Sequence, residues 1–186
     1  MNLKRKMLSI LPAFTILLAI LLLSPVTAKA ATNGGNCGKN GNNVTWSYDD
    51  SSKTLTISGT GEMEDYEVEG NISPWRSAGL ESDVKSVDIE EGVTSIGDCA
   101  FGYCESLTDI TIPDDVKSIG WSAFYGCESL TDITIPGGVT NIGDNPFCGC
   151  SSLARIEVES SNKVYDSRNN CNAIIDTASK TLISGC

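Results

Sequence analysis

The sequence predicts a short repeat solenoid, mostly β in content and α/β in type, with a β-hairpin at each end. Three observations predict it. Between Val84 and Val158 one phrase is written three times, as VKSVDIEEGVTSIGDCAFGYCES, LTDITIPDDVKSIGWSAFYGCES and LTDITIPGGVTNIGDNPFCGCSS, and a fourth copy starts at LARIEV. The period is 23 residues throughout, so Ile96, Ile119 and Ile142 fall in register, as do Gly97, Gly120 and Gly143, then Phe101, Phe124 and Phe147, then Cys104, Cys127 and Cys150. The flanking segments VTWSYDDSSKTLTISG and NAIIDTASKTLISG share SKTL and a following Ile-Ser-Gly, and both read as paired strands.

A fixed period between about 20 and 29 residues is the signature of a leucine-rich-repeat solenoid. One such copy buries too few side chains to offset the entropy of ordering it, which is roughly 1.5 kcal/mol per residue. Stacking supplies what the single copy lacks, because each copy covers the faces of its neighbours.

In chain order, residues 1–30 read as a secretory signal. Lys4, Arg5 and Lys6 precede an apolar run to Leu23, and Ala28-Lys29-Ala30 precedes Ala31 as a small-residue cleavage site. Removing it takes away four cationic residues and moves the net charge from −11 to −15. Residues 31–83 form a linker and N-terminal cap: ATNGGNCGKNGNN is a loop, Val44, Trp46 and Tyr48 line one face of the first strand, and Leu55 and Ile57 line one face of the second. Asp50 to Lys53 turn between them, GTGEMEDY is a worn copy, and SPWRSAGL is an insertion leading into the first regular one.

Within the repeats, residues 84–158, SLTDITIP is a strand with Leu107, Ile110 and Ile112 pointing inward, ended by Pro113 as its counterpart is by Pro136. Glycine follows at VKSIG with the freedom to turn. Asp98-Cys99-Ala100-Phe101 and its counterparts read as a short helical turn capped by Asp98 or Asp144, a pattern that Trp121 breaks in the middle copy. Residues 159–186 form a C-terminal hairpin in which Ile175 faces Leu182 and Ile174 faces Ile183. On that register Cys171 faces Cys186, and the two are the expected disulfide.

The composition excludes several functions. An acidic surface disfavours nucleic acid and anionic membrane. There is no histidine, which removes the commonest general base and transition-metal ligand. Serines, carboxylates and thiols occur without a nucleophile-and-base constellation, so the chain is read as no enzyme, with no cofactor and no metal. The 23-residue spacing of Cys104, Cys127 and Cys150 follows the repeat rather than the short paired spacings of zinc sites, and reads as a buried column. Cys37, Cys99 and Cys148 carry no assignment.

The motif LTDITIPDDVKSIGWSAFYGC resembles the BspA-like leucine-rich repeat of bacterial and some protist surface proteins. CGKNGNNVTWSYDDSSKTLTISGTGEM with SPWRS resembles the leader that precedes such repeats, and YDSRNNCNAII a segment that interrupts them. The resemblance implies a right-handed solenoid with a parallel sheet on one face. It also implies a secreted or cell-surface location and, for some members, adhesion to host matrix or to other cells. Similar proteins continue beyond Gly185-Cys186, which implies a truncated chain.

The candidate binding surface is the outward side of the strand face. Stacking makes one column of Ser86, Asp109, Asp132 and Arg155 and a second of Asp88, Thr111, Thr134 and Glu157. Asp109 and Asp132 are expected about 4.8 Å apart on neighbouring strands. Two readings follow: a monomeric module recognising a protein or glycan, host matrix included, without catalysis, or a non-binding spacer or fragment of a longer surface protein.

Overall fold

The computed structural model describes residues 33–185, so the expected signal at residues 1–30 lies outside it. The chain opens with β1 (Gly34–Gly38), β2 (Gly41–Asp49) and β3 (Thr54–Gly59), all antiparallel. The expected β2–β3 hairpin is present, with Val44, Trp46, Tyr48, Leu55 and Ile57 buried along its inner face. The glycine- and asparagine-rich segment before it is a strand rather than a loop: its glycines let β1 lie close over β2, and a Cβ at Gly34 would come within 2.9 Å of the Trp46 carbonyl.

After β4 (Gly61–Glu62) and the single-turn helix α1 (Pro74–Ser77), each copy contributes two short strands. These are β5 (Ser86–Ile89) and β6 (Val93–Ile96), then β7 (Asp109–Thr111) and β8 (Ser118–Ile119), then β9 (Asp132–Ile135) and β10 (Asn141–Ile142), followed by β11 (Arg155–Val158). Parallel pairing keeps a 23-residue offset: Ser86 with Asp109, Ser118 with Asn141, Asp132 with Arg155. The second strands form one sheet in the order β10-β8-β6-β4. The first strands do not form one. A five-stranded sheet, β1-β2-β3-β5-β7, ends at β7, and β9 starts a separate pair with β11.

That break corrects two expectations. Asp109 and Asp132 do not stand on hydrogen-bonded neighbours, and Ile110 and Ile112, expected in the core, are only half-buried while Ile133 and Ile135 are buried. Of the four outward residues at the junction, Asp109 and Asp132 are carboxylates and Thr111 and Thr134 are not, and two like charges at strand spacing repel by only about 1 kcal/mol in water, too little to cause the opening.

The core is a set of columns. Phe101, Phe124 and Phe147 stack with centroids 5.6 Å apart at both steps and rings within 22° of parallel. Trp75 continues the column at 5.4 Å from Phe101. SPWRS is therefore part of the stack, not an insertion beside it. Thr54 pairs with Ser86, an offset of 32 residues, while Trp75 stands 26 residues before Phe101, so six of the nine extra residues of this first copy fall between β3 and Trp75 and three between Trp75 and β5. Beside the rings, the Cys127 thiol donates to the Phe101 carbonyl at 3.2 Å and the Cys150 thiol to the Phe124 carbonyl at 3.1 Å. Burial pushes the Cys104 thiol up to about 12, and the adjoining Cys150 thiol and then burial push Cys127 up.

The segment after each β6-type strand is a series of turns, not a capped helix. Cys99, Ser122 and Asn145 take left-handed backbone, with φ of 47°, 48° and 52°, and so do Tyr103, Gly126 and Gly149 at 63°, 70° and 80°. The Asp98 carboxylate accepts the Trp121 N–H of the next copy at 2.6 Å instead of capping its own. Gly97, Gly120 and Gly143 are not at positive φ. Their missing side chain permits close approach: a Cβ at Gly97 would lie 1.9 Å from the Glu64 carbonyl oxygen, at Gly120 2.5 Å from the Asp98 amide nitrogen, and at Gly143 2.5 Å from that of Trp121.

At the far end the parallel register stops at Asn162, which stands 23 residues after Val139 where the copies carry an apolar side chain. It is buried, and its amide donates to the Pro136 and Val139 carbonyls while its oxygen accepts the Val164 and Tyr165 N–H groups. The chain then forms an antiparallel sheet, β12 (Tyr165–Asp166), β13 (Ala173–Asp176) and β14 (Leu182–Gly185). Ile175 faces Leu182 as expected, but a bulge then sets Ile174 opposite Ser184 rather than Ile183. Cys186, and with it the expected pairing with Cys171, lies outside the described residues.

Two outcomes follow. Gly120→Ala lowers stability by about 1–3 kcal/mol through overpacking and Phe124→Ala by about 3–5 kcal/mol through the cavity it leaves, both read by urea denaturation; a neutral Gly120→Ala would contradict the close approach. Iodoacetamide at pH 8 modifies the exposed Cys148 in the native chain and reaches the buried Cys104 and Cys127 only after denaturant is added, and equal labelling of all three would contradict the column.

Candidate functional site

Each first strand alternates an inward apolar residue with an outward polar one because successive side chains of a strand point to opposite faces. The structure places the expected residues accordingly. Asp88, Asp109, Thr111, Asp132, Thr134, Arg155 and Glu157 are exposed and Ser86 is half-buried. Ser86 sits beside Asp109, and Asp88 beside Thr111, across β5 and β7; Asp132 sits beside Arg155, and Thr134 beside Glu157, across β9 and β11. The eight residues thus form two blocks of four, with the open junction between β7 and β9 separating them.

The blocks differ in charge. In the first, the Ser86 hydroxyl approaches Asp109 Oδ2 at 3.5 Å and no cation is present among its four residues. In the second, Arg155 is ion-paired with Glu157 along its own strand. That pair forms one wall of a recess of about 200 Å³ whose remaining lining includes Ile156, Ser167 and Asn172. The Ser167 hydroxyl there accepts the Val158 N–H at 3.0 Å and fixes the loop against the strand end.

Both columns run further than the repeat suggests. Thr54 pairs with Ser86 and Thr56 with Asp88, and across the antiparallel β2 they meet Asp49 and Ser47. The alternation Thr-Leu-Thr-Ile in β3 carries the same signal as Asp-Ile-Thr-Ile in β9, and it is hidden in the sequence by the 32-residue offset. At this edge the Ser51 hydroxyl holds the Asp49 carboxyl below the usual carboxylate range. The surface offers an array of carboxylates, hydroxyls and one paired guanidinium. Among the described residues no three cysteine, aspartate or glutamate side chains converge as metal ligands, and no helix is long and apolar enough to cross a membrane.

The chain is similar to a leucine-rich repeat protein from Eubacterium ventriosum, at 27% identity and a TM-score of 0.47, over 81% of this chain and 50% of that one. It is similar to a leucine rich cell surface protein from Faecalibacterium prausnitzii at 20% identity and a TM-score of 0.46, over 75% of this chain and 58% of that one. A leucine-rich repeat protein from Bacteroides capillosus matches at 25% identity and a TM-score of 0.43, over 69% of this chain and 99% of that one. The chain therefore spans half the length of the first of these structures. No curated protein sequence matches it. The family model of the BspA type leucine rich repeat region matches residues 80–178 in six copies, which is 99 of the 186 residues. This chain belongs to the BspA type leucine-rich-repeat family.

Proposed function

We propose that the chain is a secreted or cell-surface interaction module that docks a protein or glycan, host matrix included, on the outward side of its first strands. The observation that carries the reading is the alternation itself: β9 and β11 bury Ile133, Ile135, Ile156 and Val158 while exposing Asp132, Thr134, Arg155 and Glu157 in register. A rigid backbone lattice that fixes outward side chains at strand spacing suits recognition because little side-chain and loop ordering remains to be lost on binding. In this reading the copies form a right-handed solenoid, monomeric, closed at one end by β1 and β2 and at the other by β12 to β14. Residues 1–30 act as the export signal, and a Cys171–Cys186 disulfide ties down the terminal hairpin. The absence of histidine and of a nucleophile–base pair in the sequence supports binding without catalysis.

The test replaces Asp109, Thr111, Asp132 and Thr134 together by alanine and measures adhesion to immobilised matrix proteins and glycans. The expected result is loss of binding with an unchanged melting temperature, since these side chains are exposed. Undiminished adhesion by a folded variant would remove the strand face from the account and leave a spacer.

A further inference from the structure

The sheet of second strands floors a groove of about 310 Å³ in which Ser95, Ser118 and Asn141 lie in register along β6, β8 and β10. Its lining includes Lys39, Glu62, Asp65, Asp98 and Trp121. Trp121 is 46% exposed, one of two large apolar side chains left open among the described residues, the other being Leu182. It also breaks the repeat, standing where the adjoining copies carry Asp98 and Asp144. Backbone bonds fix the alignment. The Cys99 N–H donates to the Trp121 carbonyl at 2.9 Å, and the Ser122 N–H to the Asp144 carbonyl at 3.1 Å. Trp121 therefore has an aspartate aligned with it one copy to either side, Asp98 within the groove lining and Asp144 next to it in the following copy. The same groove already seats an ammonium group: Lys39 Nζ lies 3.5 Å from Glu62 Oε2 and 3.3 Å from Asp65 Oδ2.

We propose that Trp121, with Asp98 and Asp144 beside it, is the docking site for an arginine or lysine side chain in a basic segment of a partner protein. Tryptophan presents the most favourable aromatic face to a cation. Asp98 in the groove supplies charge and a hydrogen-bond acceptor, and the exposed Asp144 adds a second negative charge in the adjoining copy. Asp98 spends one oxygen on the Trp121 N–H and keeps Oδ2 for the ligand. A net charge of −11 over the whole chain steers a basic segment towards it and repels polyanions. The groove lies on the second strands, so this site stands or falls separately from the face formed by β5, β7, β9 and β11.

The test titrates the purified full-length chain with an eight-residue peptide of alternating arginine and glycine, following tryptophan emission and the heat of binding. Trp46 and Trp75 are buried, so a change in the exposed emission reports Trp121. Saturable binding is expected, weakened about tenfold by Trp121→Ala and by the double change Asp98→Asn with Asp144→Asn. Trp121→Phe keeps most of the affinity, and Glu128→Gln, an exposed acid elsewhere, leaves it unchanged. Equal melting temperatures show that the variants fold. The proposal is overturned by no binding, by Trp121→Ala binding as tightly as the parent, by Glu128→Gln costing as much as the double change, or by a neutral oligosaccharide perturbing Trp121 where the peptide does not.

Discussion

Close contact between successive copies is the constraint on which the rest of the structure depends. At Gly97, Gly120 and Gly143 one backbone lies against the next with no room for a methyl group. That approach sets the rise from copy to copy, and the rise brings the Phe101, Phe124 and Phe147 rings to 5.6 Å. The same spacing lets the Cys127 and Cys150 thiols each reach the phenylalanine carbonyl of the copy before. Interior and surface are therefore coupled, because a register that stacks the rings also lines up the outward Asp, Thr and Ser side chains.

The polar groups at the turns serve the same end. Asp115 accepts the Gly92 N–H at 2.7 Å, Asp114 the Gly138 N–H at 3.2 Å and Glu159 the Gly137 N–H at 2.9 Å, each from a neighbouring copy. Part of the acidity of the chain is thus structural as well as solvating: turn amides that a strand ladder would satisfy find a carboxylate one copy away. Asn162 ends the series by putting four hydrogen bonds where earlier copies put a valine, so the next segment can turn back into antiparallel strands.

How far this was legible in the sequence depended on whether a residue obeyed the period. The phenylalanine and cysteine columns, the β2–β3 hairpin and the alternation of β9 and β11 follow from spacing and polarity alone. The exceptions arise where a different constraint took over. GGNCG looks like a loop because its glycines suit turns, yet here they allow a strand to lie close over β2. Trp75 fills the place of a phenylalanine from a position three residues out of step with the period, after a strand that is nine out of step, which no fixed period can find. The opening between β7 and β9 and the bulge in the last hairpin are backbone events, and identical side-chain patterns on β7 and β9 give no hint of them. On the candidate surfaces, the columns were readable as far as the period runs, whereas Thr54, Thr56 and the groove around Trp121 needed the three-dimensional alignment.

The central claim is that copies 23 residues apart lie directly on one another, and amide exchange in solution tests it most directly. The Gly120 N–H donates to the Ile96 carbonyl at 2.9 Å and the Gly143 N–H to the Ile119 carbonyl at 2.8 Å, bonds that exist only if the copies are stacked in this register. The account predicts that both amides exchange orders of magnitude more slowly than that of an exposed turn residue such as Glu91. Exchange of Gly120 and Gly143 at the rate of an unstructured chain would contradict it.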